Sequence, residues 1–250
     1  MDSVPDTGIL PPKAASRKSS SDGAAAPAMV SHNLNGQRLG RKGRDTRERI
    51  IAAAQALLAS PEPVPITLSA VARQASLGMT SLYLYFSDLT ELVLAVLEPV
   101  MATAEDAYIG AMRTRWPDDE LNACCNAFVS AYYDFWCKHA RLLHLRNSMA
   151  DLHDKRIVIH RVRSAQQVIS LLAEQMDGNT GSGDLRADDM ATVLLTGIER
   201  TVTLATDADV KEIMDQRRPE HLRERLNAVA RLLELGIRDI RGSNAGRSAD

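Results

Sequence analysis

The feature that most constrains this chain is a set of apolar stripes cut short between residues 46 and 86. Ile50, Ile51, Ala54, Leu57 and Leu58 recur on one helical face from Thr46 onward, with no proline before Pro61. Pro61, Pro63 and Pro65 forbid continuation, because each lacks an N–H and crowds the preceding turn. A second stripe follows behind Thr67, a hydroxyl residue suited to cap a helix, with Leu68, Val71, Ala72 and Ala75 at i, i+3, i+4 and i+7. Residues 76–78 make a break, and Met79 to Phe86 is predicted as a third short helix with Leu82 and Phe86 turned inward. A support helix and two short helices joined by a tight turn describe a helix-turn-helix.

The rest of the chain reads as further helices. Leu89, Leu92, Val93, Val96, Leu97, Val100 and Met101 mark a long one behind Asp88 as cap; others are expected over about 118–140, 141–151 and 154–176. Two clear stripes end the chain: Met190, Val193, Leu194, Ile198, Thr201, Val202 and Ala205, then Leu222, Leu226, Val229, Leu233 and Ile240. No convincing strand alternation interrupts them, so the fold class is all-α: a three-helix helix-turn-helix domain followed by a larger helical domain. The expected divisions are a disordered tail over 1–37, rich in Ser, Ala, Pro and Gly; a basic arm and helix-turn-helix over 38–92; a helical domain over 93–241; and a disordered tail over 242–250.

Composition excludes several classes. The 250 residues are 45% hydrophobic and 25% charged, as in ordinary globular proteins, so a wholly disordered or fibrous chain is not expected. Thirty basic against 32 acidic side chains rule out a uniformly cationic coat. The local distribution differs: Arg38, Arg41, Lys42, Arg44, Arg47 and Arg49 face only Asp45 and Glu48, a net charge of +4. Cys124, Cys125 and Cys137 read as small buried hydrophobes in a reducing compartment, Cys125 and Cys137 being separated by about 18 Å of helix rise. With no spanning apolar run and no signal-like start, a cytoplasmic protein without membrane association is expected.

A helix starting near Gly78 turns Thr80, Tyr83, Leu84 and Ser87 away from Leu82 and Phe86. Hydroxyls of Thr80, Ser81 and Tyr83 can bond base edges or phosphates, and Leu84 offers an apolar contact to a thymine methyl. The stretch Thr46 to Leu92, containing TRERIIAAAQALL, ITLSAVARQASLGMTSLYLYF and SDLTEL, resembles the DNA-binding domain of the tetracycline-repressor (TetR) family. The resemblance implies a homodimeric regulator that is not an enzyme. It would repress from a near-palindromic double-stranded DNA operator and release it when a small molecule enters the C-terminal domain. By similarity to the family motif, Thr67, Tyr83 and Tyr85 are phosphate contacts.

The sequence departs from the family's commonest pattern: the turn glycine is displaced to Gly78, and Met79 and Thr80 stand where a basic or small residue is frequent. Leu89 replaces a lysine often found after the recognition helix, and Arg73 is the only basic residue between Ile50 and Glu98. Phosphate neutralisation supplies most nonspecific affinity, so charge must come from elsewhere. Arg38, Arg41, Lys42 and Arg44 are therefore expected to form a flexible cationic arm that wraps the duplex.

Five of the ten aromatic residues, Phe128, Tyr132, Tyr133, Phe135 and Trp136, crowd into nine positions. They supply either core packing or an aromatic-lined cavity. WCKHARLLHLRN and GIERTVTLAT resemble the ligand domain of the ethionamide-resistance-repressor subgroup. That resemblance implies a pocket with Cys125, Val129, Tyr132 and Trp136 on one wall and Leu195 and Ile198 opposite. Phe128 joins them on the side of Tyr132, and an apolar effector is expected because the lining is almost uncharged. For the last two helices the family implies a four-helix bundle between subunits, with packing inside one subunit as the alternative, and Gly197 and Gly236 either permit close approach or mark tolerated weak spots.

Four histidines, His139, His144, His153 and His160, fall within 22 residues and raise the alternative of a metal-dependent hydrolase. Their spacing argues against a shared ion, and no metal or cofactor is expected. Nearby Lys138, Arg141, Arg146, Lys155, Arg156, Arg161 and Arg163 are expected in surface ion pairs, with a cationic pocket entrance for an acidic or CoA-linked effector as the lesser alternative. A third alternative is a ligand-binding dimer without DNA affinity.

Overall fold

The computed structural model describes residues 40–60, 64–177, 185–215 and 221–247. Regular structure among them is helical throughout. Helix α1 (Arg41–Ala59) begins five residues before the apolar stripe predicts. Arginine and lysine are good helix formers, the Gly40 carbonyl accepts from the Gly43 and Arg44 N–H groups, and Thr46 Oγ1 donates to the Lys42 carbonyl. Arg41, Lys42 and Arg44 thus lie on a helix, which corrects the expected flexible arm for those three residues. Arg38 lies outside the described residues, as does the tail expected over 1–37.

Helix α2 (Leu68–Gln74) is capped by Thr67, whose Oγ1 accepts from the Ala70 N–H. It stops in a paired-carbonyl turn in which the Ser76 N–H reaches the Arg73 carbonyl and the Leu77 N–H the Ala72 carbonyl. That turn needs a left-handed residue, and Ser76 supplies it at φ 54°. Gly78 has an ordinary φ of −74°. The displaced glycine therefore serves no special backbone role, and a serine carries the strain instead.

Helix α3 (Met79–Leu82) is shorter than the predicted span to Phe86. The Leu84 and Tyr85 N–H groups bond three residues back, to Ser81 and Leu82, which tightens the chain and turns Phe86 into the core. Leu82 and Phe86 are both fully buried.

Helix α4 (Leu89–Ala102) starts at the expected Asp88 cap, which accepts from the Glu91 N–H, and passes into a π-helical turn (Glu105–Ile109) and a 3-10 turn (Gly110–Met112). Helix α5 (Leu121–Asp151) joins the two predicted segments across a kink at His139, where φ is −119° and ψ 19°. Helix α6 (Lys155–Gln175) is capped by Asp154. Helices α7 (Leu185–Thr206), α8 (Ala208–Asp215) and α9 (His221–Arg247) complete the chain. The short α8 is not visible as an apolar stripe in the sequence.

Helix α9 runs past Arg241, correcting the disordered tail expected from residue 242; residues 248–250 lie outside the described residues. Its end is tied down from the side. Arg241 Nε donates to the Gln175 carbonyl at 2.7 Å, and its Nη1 pairs with Asp118. Asn244 Nδ2 donates to the Met176 carbonyl. Glu234, buried on the same helix, accepts from Asn122, Arg231 and Arg238, and these bonds hold its carboxyl down at about 2.

Three polar ties fix the N-terminal helices to the body. Arg141, just beyond the α5 kink, donates to the carbonyls of Leu57, Ser60 and Val64, which end α1 and begin the next connection. Thr90 Oγ1 donates to Asp154 Oδ2 at 2.6 Å, and Arg156 pairs with Asp88 at 2.9 Å. Helix α4 thus leans on the start of α6 while α1 hangs from α5.

Candidate functional site

Two places gather the residues singled out by sequence. At the first, the outer side of α3 and its following turn carries Thr80, Tyr83, Leu84 and Ser87, all exposed, Tyr83 at 48% and Leu84 at 40%. Met79, Ser81 and Tyr85 are half-buried, and Met79 and Tyr85 also pack on the core. Thr67 stands at the start of α2 with its hydroxyl engaged by the Ala70 N–H and Ser69 Oγ. The face is uncharged, apolar and hydroxyl-bearing.

The nearby positive charge divides by role. Arg47 packs its guanidinium over the Phe86 ring at 5.1 Å, and burial pulls its pKa down. It braces α1 against the turn after α3. Arg41 and Lys42 are exposed on the first turn of α1, with Arg44 half-buried beside them. That turn has no acidic residue, and its Gly40 cap offers no side-chain acceptor. Cations there oppose the helix dipole, and the first N–H groups of the helix favour an anion instead.

The second place lies where α5, α6 and α7 meet. Tyr108 stacks edge-on against Tyr132 at 5.1 Å and Phe135 at 5.3 Å, and Tyr132 continues to Trp136. Burial pushes the Tyr108 hydroxyl up to about 12 and raises that of Tyr132 further. These rings border a cavity of only about 30 Å³, lined also by Met101, Leu143, Val168, Leu195, Arg146, Arg161 and Glu199. That is room for one or two waters.

Of the seven predicted pocket residues, Tyr132, Trp136 and Leu195 line this cavity. Cys125, Phe128, Val129 and Ile198 are buried but do not. Residues 125–129 sit one to three turns of α5 before the cavity, which explains their separation from Trp136. The Cys125 thiol, pushed up to about 12 by burial, feels Glu234 of α9 rather than the aromatic layer.

Sequence reasoning missed the charge here. Arg146, expected on the surface, is 5% exposed, with its guanidinium 5.6 Å from the Trp136 ring centre. Its Nε and Nη2 donate to Asn147 Oδ1. Glu199 Oε1 lies 3.6 Å from Arg146 Nη2 and 3.7 Å from Arg161 Nε. Burial lowers the Arg146 pKa and Glu199 opposes that shift, so a charged pair stands where an almost uncharged lining was expected. The recurrence of Arg146 one turn after Leu142 and Leu143 on a core-facing side was the available signal.

The four histidines are scattered. His139 marks the α5 kink, His144 Nε2 pairs with Thr206 Oγ1, His153 sits at φ 63°, and the buried His160 Nδ1 has no hydrogen-bond partner. Among the described residues, no group of three or more His, Cys, Asp or Glu is placed to hold a metal ion.

Comparison of the whole fold decides its type. A TetR-like transcriptional regulator from Rhodococcus sp. RHA1 matches with a TM-score of 0.50 over 77% of this chain and 96% of that one, at 16% identity. This chain has the TetR-like fold. No protein-family model and no curated protein matches the sequence. In the TetR-like fold the exposed α3 face belongs to the N-terminal helices and the aromatic cavity to the larger helical body. No helix among the described residues is long and apolar enough to cross a membrane.

The final helices alter one expectation. Leu194, Ile198, Val202, Leu233 and Ile240 are buried within the chain, so much of the predicted seam between subunits is the chain's own core. A Cβ on Gly236 would come within 2.7 Å of Leu194 Cδ1, so this glycine serves α7–α9 packing. Val193 at 68%, Leu232 at 57% and Leu235 at 47% remain exposed on α7 and α9, and Gly197 has open space beside it.

Proposed function

We propose that the protein is a DNA-binding transcriptional regulator, a homodimer that represses from a near-palindromic operator and releases it on binding a small-molecule effector. It is not an enzyme in this reading. The observation that carries it is the exposed face of Thr80, Tyr83 and Leu84 on a rigid base formed by the fully buried Leu82 and Phe86. A side chain in a well-packed turn can meet base edges with little further loss of freedom. Met79, Ser81 and Tyr85, half-buried beside that face, and Thr67 at the start of α2 would complete the contact with the groove wall and phosphates.

Attraction to the duplex comes from Arg41, Lys42 and Arg44 at the start of α1, with Arg38 just upstream. Their placement at an uncapped helix N-terminus is unfavourable in isolation and favourable against a phosphate. Dimerisation would use the exposed Val193, Leu232 and Leu235 around the open Gly197. Two reading faces must then sit about 34 Å apart to meet successive major grooves. An effector in the body favours another separation, passed to α1 through Arg141 and to α4 through Thr90 and Asp88.

Selection of genomic DNA fragments with the full chain, followed by footprinting, tests the reading. Two protected half-sites one helical turn apart are expected, and Val193→Asp with Leu232→Asp should convert dimer to monomer in sedimentation and abolish the footprint. A protein that enriches no fragment contradicts it.

A further inference from the structure

We propose that the effector is an organic anion, an aromatic or apolar body with one carboxylate or equivalent acidic group. The acid is held by Arg146 and Arg161, and the body lies in the groove outside them, beside His144 and Leu152. The inference rests on the effector-site reading above and replaces the purely apolar ligand expected from sequence.

Charge count supports an anion first. Two guanidinium groups and one carboxylate, Glu199, border the aromatic cavity, leaving one positive charge in excess. Asp151 approaches Arg161 at 3.8 Å but is largely exposed to solvent. The groove outside adds Arg200 against Asp151 and Asp207, so the preference for an acid belongs to the inner cavity, between Arg146 and Arg161.

Geometry supports an exchangeable partner. Glu199 Oε1 is buried, has no hydrogen-bond donor, and stands 3.6–3.7 Å from both arginines. Exposed pairs elsewhere are far tighter: Arg115 holds Asp177 through two bonds of 2.6 and 2.9 Å. A buried ion pair kept for stability should be the better bonded of the two. Here it is the looser, as expected where an incoming acid completes the arginines' coordination.

Space supports the route. Outside the small cavity lies an open groove of about 600 Å³, bordered by His144, Asn147, Asp151, Arg200, Thr203 and Asp207, within the usual range of small-molecule sites. Arg161 and Glu199 line both spaces. Displacing the Glu199 carboxylate outward joins them, so the ligand's acid takes the place that Glu199 leaves.

The test uses isothermal titration of the full chain with naphthylacetate and its uncharged isostere naphthylacetamide. The same probes are tested for release of a DNA fragment selected from the genome. Wild type should bind the acid at least about tenfold more tightly than the amide, the value of one good charge-assisted hydrogen bond. Glu199→Gln should strengthen acid binding several-fold and amide binding by clearly less. Arg146→Gln should abolish the preference, and Arg161→Gln, at a more exposed site, should reduce it even if the first variant fails to fold. Equal affinities in wild type, a preference surviving both arginine changes, or no binding of either probe overturns the proposal. Acid binding that depends on Arg146 without release of DNA would sustain the ligand class and contradict the regulator reading. Release by the amide alone would do the reverse.

Discussion

The proposed reading face and the proposed effector cavity carry their polar groups in opposite ways. Around α3 the buried side chains are apolar, and the hydroxyls of Thr80 and Tyr83 stand at the surface beside the buried Leu82 and Phe86. In the body charged groups share the cavity wall with aromatic rings, Arg146 buried and Glu199 half-buried. Changes at the outer face should therefore alter binding while sparing the fold. Changes inside the body should alter both, because a buried charge that loses its partner cannot turn to water.

The largest contrast is within the N-terminal helices. Phe86→Ala should cost about 3–5 kcal/mol in chemical denaturation, since the ring is fully buried under Arg47. Tyr83→Ala should stay within about 0.5 kcal/mol of wild type while losing DNA affinity. Equal destabilisation by both would erase the distinction between base and reading face.

In the body, Glu199→Ala should destabilise by about 1 kcal/mol, because the pair is loose but Arg146 loses its counter-charge. Naphthylacetate should restore part of the lost melting temperature, and a variant as stable as wild type would place the charge pair outside the energetics of the fold. A comparable and opposite effect is expected at the turn, where Ser76→Gly should stabilise by about 1 kcal/mol by relieving the φ of 54°. Unchanged stability would mean that the turn's hydrogen bonds already absorb the strain.

The smallest effect on stability belongs to the start of α1. Arg41→Ala with Lys42→Ala should leave stability unchanged or raise it by about 0.5 kcal/mol, because both cations oppose the dipole. In DNA binding the same pair should reduce the slope of log affinity against log salt by about 2. An unaltered slope would remove α1 from the interface.

How far the sequence could be read follows the same division. The Thr67 and Asp88 caps, the break after α2 and the inward Leu82 and Phe86 were legible because each is set by residues a few positions apart. The start of α1 was missed because its first turn has no apolar stripe, only good helix formers. Residues 242–247 were read as a tail because what holds them, the Gln175 and Met176 carbonyls, is distant in sequence. The inward arginine at 146 was lost for the same reason: α6 and α7 enclose it, and α5 alone does not reveal them. Stripes on α7 and α9 were visible, but periodicity cannot say whether the neighbour is the same chain or another, and Leu194 and Leu233 prove to be internal.

The most direct measurement is the affinity of the full chain for its best selected genomic fragment against a scrambled fragment of equal length, repeated with Tyr83→Ala. The account predicts a preference on the order of a thousandfold or more in wild type, falling sharply in the variant while the melting temperature holds. A wild-type protein that binds both fragments alike, or a variant that keeps the full preference, would contradict it.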